Sequence, residues 1–376
     1  MSETGRFAMF FAIVLTAWVA MHAYVLGRTL SLLPPGTPRR VTTAGVVGLG
    51  LSYLAARLLD RGPWTAVARP FEWLGANWMG VLLLLVVCLL AADLVTGFGL
   101  LRRAVPAFRA AAVATALLLS AVALVLGHLP PVVRQFELTV QGLPPDRDGV
   151  RVAAVSDLHV GTLLGRRWTQ RLVDRILALQ PDLVVVVGDV LEGNNQHAAR
   201  LVPELSRLAA PLGVWAVTGN HEFYAGLERS VAHLEAAGFR VLRDGWAEAA
   251  PGLVVAGVDD LTARQQFGAP FPDLPALLAG RPPGAVVLLS HTPWLVAEAA
   301  RAGVAVMLSG HTHDGQIWPF GALVKFRYPY LSGHIQVGGM HLLVGRGTGT
   351  WGPRMRLWRR GEILLLTLHP AAAAGG

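Results

Sequence analysis

Four apolar stretches of about twenty residues fill the first 130 positions: Phe7–Leu26, Val41–Leu59, Met79–Leu101 and Ala110–Leu129. Each matches the roughly 20 residues that a helix needs to cross a hydrocarbon core. With 53% hydrophobic and 15% charged residues, the chain is also too apolar for an ordinary soluble domain. Residues 1–130 are therefore expected to form a four-helix transmembrane region. A cleavable leader is the rival for the first stretch. No compact basic start or small-x-small site precedes Arg28, and three further spans follow, so it reads as an anchor.

An even number of spans puts the N-terminus and the remaining chain on one side. Arg28, Arg39, Arg40, Arg102, Arg103 and Arg109 fall in the opposite loops, against Arg6, Arg61, Arg69 and Arg134 on the shared side. This distribution leans toward a multi-pass inner or plasma membrane protein whose second half lies outside the cytoplasm. Asp93, inside LLAADLVTGF, is a carboxylate at membrane depth, to be explained by a pairing, a polar helix end or a function.

The formal charge of +8 does not mark a nucleic-acid binder. Residues 1–130 hold ten Arg and four acidic groups (+6), leaving 22 basic and 20 acidic groups (+2) for the rest. The excess belongs to the membrane loops. The single cysteine, Cys88, lies in an apolar run and excludes an internal disulfide or a multi-cysteine zinc site.

After HLPPVV the pattern changes, and residues 131–376 read as a separate α/β domain. QFELTV and RVAAVSD read as strands, RRWTQRLVDRILALQ as a helix, and the four valines of PDLVVVVGD as a buried strand. LVPELSRLAA and LERSVAHLEAAG read as helices. GVWAVTGN, VVAGVDD, AVVLLSH and VAVMLSGHTH continue the strands. Five strand ends supply Asp157 and His159, then Asp189, then Asn220 and His221, then His291, then His311 and His313. Carboxylate oxygen mixed with imidazole nitrogen suits Mn, Zn or Fe ions better than the all-oxygen shells of Ca²⁺ and Mg²⁺. A carboxylate such as Asp189 can bridge two cations held about 3.5–4 Å apart.

In this order and spacing the motifs resemble the calcineurin-like metallophosphoesterase superfamily from about Arg151 to His313. The resemblance implies a four-layer α/β/β/α sandwich and two divalent metal ions. Asp157, His159, Asp189 and His313 would hold one metal; Asp189, Asn220, His291 and His311 would hold the other; His221 would be the catalytic residue beside the phosphate. A membrane-associated branch of that superfamily carries GHTHGGQ and SRGLGTSG, which are similar to GHTHDGQ (Gly310–Gln316) and VGRGTGTWGP (Val344–Pro353) here. Glycine-rich chain can approach phosphate closely, and Arg346 is a candidate substrate contact. Asp314 departs from the branch motif.

The branch includes enzymes that cleave the pyrophosphate of UDP-2,3-diacylglucosamine in lipid A synthesis. The resemblance thus implies a metal-dependent phosphoester or pyrophosphate hydrolase acting on a membrane lipid or lipid-linked phospho-substrate. The rival readings are an extracytoplasmic phosphodiesterase or phosphatase, and a non-catalytic membrane receptor or scaffold that retains the fold. The stretch containing Phe320, Phe326, Tyr328, Tyr330 and Leu331 either lines an acyl-chain groove, lies at the membrane interface, or packs as a loop.

Overall fold

A computed structural model describes residues 3–60, 65–193 and 199–372. Arg61, counted above among the flanking charges, lies outside the described residues. The chain divides into two compact units, Met1–His128 with Gly352–Leu357, and Leu129–Trp351 with Trp358–Gly376.

The first unit is built on helices α1 (Glu3–Leu30), α2 (Thr37–Leu59), α3 (Thr65–Val95) and α4 (Val105–His128). All four are long and apolar enough to span a membrane, and the chain is a multi-pass integral membrane protein. Large apolar side chains such as Ile13, Leu54 and Leu118 face outward, which suits a lipid solvent. Helix α3 starts at Thr65, upstream of the apolar run, because the polar residues there are still compatible with helix. It ends before Gly97 and Gly99, both at positive φ. Close packing comes from small residues: a Cβ on Gly75 would lie 2.4 Å from the Tyr53 backbone nitrogen. Residues Gly352–Leu357 join this unit through α4, with Arg356 N–H donating to the Ala123 carbonyl at 2.9 Å.

Asp93, in the last turn of α3, pairs with both neighbouring helices. Its carboxylate receives the Arg28 Nε–H at 2.6 Å, the Tyr24 hydroxyl at 2.9 Å and the Arg109 Nη2–H at 3.1 Å. The acid is fully buried, so two cations from α1 and α4 are fixed on one α3 anion. Asp93→Ala would leave both guanidinium groups without their anion. It is expected to lower the detergent-solubilised Tm by about 5 °C or more, as read by scanning fluorimetry, whereas Arg102→Ala leaves it unchanged.

The second unit holds two six-stranded mixed sheets. The strands are β1 (Val132–Val140), β2 (Val150–Val155), β3 (Leu183–Val187), β4 (Val214–Val217), β5 (Arg240–Val241), β6 (Gly245–Ala250), β7 (Leu253–Gly257), β8 (Ala285–Leu289), β9 (Val306–Ser309), β10 (Gly333–Val337), β11 (Met340–Val344) and β12 (Glu362–Pro370). One sheet runs β1-β12-β2-β3-β4-β5 and the other β10-β11-β9-β8-β7-β6. Period-two alternation sorts each strand between layers. Leu183, Val185 and Val187 of β3 meet Ala285, Val287 and Leu289 of β8 in the core between the sheets. Val184 and Val186 point the other way, toward α5 (Arg166–Leu177), which buries Leu172, Val173 and Ile176. Val286 and Leu288 likewise face an outer cluster with Leu261, Leu274 and Val296. The result is an α/β/β/α sandwich. The expected helix LVPELSRLAA is short, Val202–Leu205, with Pro203 in its first turn and Pro211 beyond its end.

Strands β2, β3 and β4 are mutually parallel, as are β7, β8 and β9. Their C-terminal ends therefore carry the candidate residues side by side within each sheet.

Candidate metal centre

The polar residues follow directly from the strand ends. The loops after β2 and β3 are tied by Asp157 N–H to the Gly188 carbonyl and His159 N–H to the Asp189 carbonyl, both at 3.0 Å. In the other sheet, Gly310 N–H donates to the His291 carbonyl at 2.9 Å. Two bonds join the sheets at the site: His311 N–H to Asp157 Oδ1 at 2.9 Å, and His291 Nδ1–H to the Val187 carbonyl at 2.7 Å.

The chain turns sharply to make this possible. Asp157, His159, Asp189, His311 and His313 all have φ between 46° and 70°, the left-handed region that side chains disfavour. Two glycines allow close approach. A Cβ on Gly219 would lie 2.1 Å from Asp189 Oδ1, and one on Gly310 would lie 2.4 Å from Asp157 Oδ2.

Three groups of donor atoms result, each within 4.8 Å: Asp157 with His159 and His313; His159 with Asp189 and His221; and Asp189 with His291 and His311. Asp189 and His159 are shared between groups, so this is one continuous cluster. Asn220 is buried beside it, and its Oδ1 has no hydrogen-bond partner among the described residues; nor has Asp157 Oδ2. Six of the seven residues expected as ligands fall in these groups together with His221, and Asn220 adjoins His221 in the chain. The Arg346 guanidinium lies 3.5 Å from Asp314 and 3.4 Å from Glu362.

The donor set fits cations. His159 Nδ1–H donates to Glu192 at 2.8 Å and His291 Nδ1–H to the Val187 carbonyl at 2.7 Å, which turns Nε2 of each into the cluster. Those nitrogens face His313 Nε2 at 3.2 Å and His311 Nδ1 at 3.3 Å. Two ring nitrogens at this spacing can share one cation. The charges agree. Burial and the neighbouring His291 push His311 down to about 3, making it a neutral donor. Burial opposes ionisation of Asp157, yet His313 and His291 hold it far below the usual carboxylate range. Burial also opposes charge on His221, but Asp189 and Glu192 raise it to about 9. The donor groups fit divalent metal ions as the cofactors of this centre.

Several supporting residues were not singled out from sequence. Glu192 lies 2.8 Å from both His159 Nδ1 and His221 Nδ1; its spacing three residues after Asp189 was the available signal. Glu222, fully buried, accepts N–H bonds from Asp189, Val190, Leu191 and Gly219. The pattern Gly219-x-x-Glu222 at a helix start announces that cap. Tyr328, part of the aromatic stretch, turns inward to His311 Nε2 at 2.7 Å. The helix before it, Phe320–Arg327, buries no residue, and Phe326 is 89% exposed.

Asp314 occupies φ 55° in a tight turn, a conformation that Asp tolerates better than most residues. Its carboxylate receives the Ser332 hydroxyl at 2.9 Å and faces Arg346 and Arg359 at 3.5 Å each. The departure from the glycine of the branch motif is thereby accommodated outside the donor groups.

Tyr328 gives a test of the outer contacts. A ring nitrogen that binds metal relies on a partner at its other nitrogen. Tyr328→Phe is expected to weaken the binding of one of two Mn²⁺ ions by about tenfold, measured by calorimetry against a chelator, with the other ion unaffected.

A family model for calcineurin-like phosphoesterases matches residues 150–315. A transmembrane protein with metallophosphoesterase domain from Danio rerio is 32% identical over 272 residues, covering 68% of this chain and 62% of that protein. Its Bos taurus counterpart is 32% identical over 283 residues, covering 70% and 62%. An uncharacterized metallophosphoesterase from Aquifex aeolicus is 34% identical over 240 residues, covering 63% of this chain and 91% of its own. The chain spans about three fifths of the length of the two transmembrane relatives.

Proposed function

This chain belongs to the calcineurin-like phosphoesterases, and from that premise we propose that it hydrolyses a phosphoester or pyrophosphate bond in a lipid-linked substrate, with UDP-2,3-diacylglucosamine as the specific candidate. The observation that carries this reading is the sharing of Asp189 between donor groups drawn from both sheets, in a chain that is itself embedded in a membrane.

In this reading Asp157, His159, Asp189 and His313 hold one metal, and Asp189, Asn220, His291 and His311 hold the second. Mn, Zn or Fe suits the set. When bound, the pair supplies positive charge for phosphate oxygens and lowers the pKa of a bound water. The protein's own groups do the rest. Glu192 accepts Nδ1–H of His221 at 2.8 Å, which fixes the ring and leaves Nε2–H to protonate the departing oxygen. Glu222, by holding the backbone of Asp189 and Gly219, keeps the shared carboxylate on its strand end. Arg346 contributes positive charge toward the substrate phosphate while Asp314 and Glu362 orient it.

The arginine distribution favours a second reading, in which the domain faces outward and acts on another membrane phosphodiester, phosphomonoester or pyrophosphate. One experiment separates them. Purified protein in detergent with Mn²⁺ is incubated with UDP-2,3-diacylglucosamine and followed by mass spectrometry. Release of lipid X and UMP, lost in Asp189→Asn, is the expected result. Absence of these products with retained cleavage of a generic phosphodiester would sink this substrate and favour the outward reading. His221→Ala is expected to keep both metals by elemental analysis while kcat falls about 10²- to 10⁴-fold. Unchanged kcat would remove His221 from the reaction.

A further inference from the structure

The surface beside His221 carries aromatic rings that the hydrolytic centre does not use. The Tyr224 ring lies 5.5 Å from the His221 ring at 63°, and the Trp351 ring 6.0 Å away at 74°. Neither is packed into the core: Tyr224 is 50% and Trp351 51% exposed. Phe267, 57% exposed, extends the surface from Tyr224 at 6.5 Å and stacks on Phe223 at 6.2 Å.

The backbone of Trp351 and the hydroxyl of Tyr224 are held before any ligand arrives. Gln316, three residues beyond His313, clasps the backbone of Trp351 twice. Its Nε2–H donates to the Trp351 carbonyl and its Oε1 accepts the Trp351 N–H, each at 2.9 Å. A single side chain of the metal motif thus fixes a residue 35 positions away. The Tyr224 hydroxyl is bonded to Gln266 Oε1 at 2.5 Å. Large half-exposed rings cost solvation free energy; fixed in place at a reaction centre, they offer flat π-surfaces.

We infer that Trp351 and Tyr224 form a subsite for a planar aromatic group carried by the leaving group, of which the pyrimidine of a nucleoside monophosphate is the type. Fixed rings match a flat base better than a flexible acyl chain, which needs a groove of aliphatic side chains. A group protonated by His221 as it departs stands next to these rings. Stacking on a ring is worth about 1–3 kcal/mol per base and is indifferent to base identity, so the subsite selects for planarity rather than for one nucleobase. Gln316 is the positioning residue for Trp351. The inference rests on the proposed role of His221 and names the chemistry of what leaves beside it.

The test compares three ligands on the full-length, Mn²⁺-loaded protein in detergent by calorimetry: UMP, ribose 5-phosphate, which lacks the base, and inorganic phosphate. The native protein is expected to bind UMP about tenfold more tightly than ribose 5-phosphate. In Trp351→Ala that preference falls to about twofold or less, with inorganic phosphate affinity and metal content unchanged. Trp351→Phe restores most of it. Gln316→Ala, which leaves the ring surface intact, reduces it partway. Equal binding of UMP and ribose 5-phosphate by the native protein overturns the inference, as does a preference that survives loss of both Trp351 and Tyr224. Failure to bind even inorganic phosphate with both metals in place would overturn the hydrolase reading itself, and the subsite with it.

Discussion

The site depends on one buried carboxylate that binds no metal. Glu222 accepts N–H bonds from Asp189, Val190, Leu191 and Gly219, at 2.7 to 3.2 Å. These donors belong to the loops after β3 and β4, so a single side chain ties two strand ends together. Backbone donors left unpaired in a dry interior are costly, and a carboxylate with four of them is fixed strongly in return. Asp189 is aimed by this arrangement: His221 N–H donates to its Oδ1 at 2.9 Å, while Oδ2 faces His291 Nε2 at 3.1 Å. The shared position of Asp189 between donor groups follows.

Strain at the centre is offset by order around it. Five of the expected ligands adopt left-handed backbone, each conformation unfavourable in isolation. They persist because every one follows a strand whose residues are almost completely buried, as in β2, β3 and β9. The glycines fit the same logic: Gly219 and Gly310 lie where a methyl group would collide with the two aspartates. Metal sites need donors placed to within a few tenths of an ångström, and strained turns on rigid strands place them better than relaxed loops would.

Outer contacts tie the last histidine motif to the late glycine-rich segment. Asp314 replaces a glycine of the branch motif but keeps the left-handed turn and gains Ser332, Arg346 and Arg359 as partners. Trp351 stands in the glycine-rich late segment and is clasped by Gln316. Both residues attach the last histidine motif to that late segment, so the turn carrying His311 and His313 is coupled to the chain that carries Arg346. The neighbouring stretch Gly352–Leu357 belongs to the helical unit.

Local pattern in the sequence determined the spanning helices, the strand alternation and the ligand types. Twenty apolar residues leave a chain little choice but a membrane helix, and LVVVV sorts its side chains by simple alternation. Strand-end Asp and His residues announced the metal chemistry because apolar strands rarely stop on so many donors. The tertiary structure alone decided which distant side chains meet. Asp93 could be read as a buried acid, but its pairing with Arg28 and Arg109 needed three helices to pack. Tyr328 sat in an aromatic stretch with three possible readings, and only the docking of its loop put it on His311. Glu192 and Trp351 looked like ordinary polar and aromatic residues until the strand ends brought His221 to both. Periodicity and composition act over a few residues, whereas these contacts join segments tens of positions apart or more, whose meeting is set by the packing of helices and strands on one another.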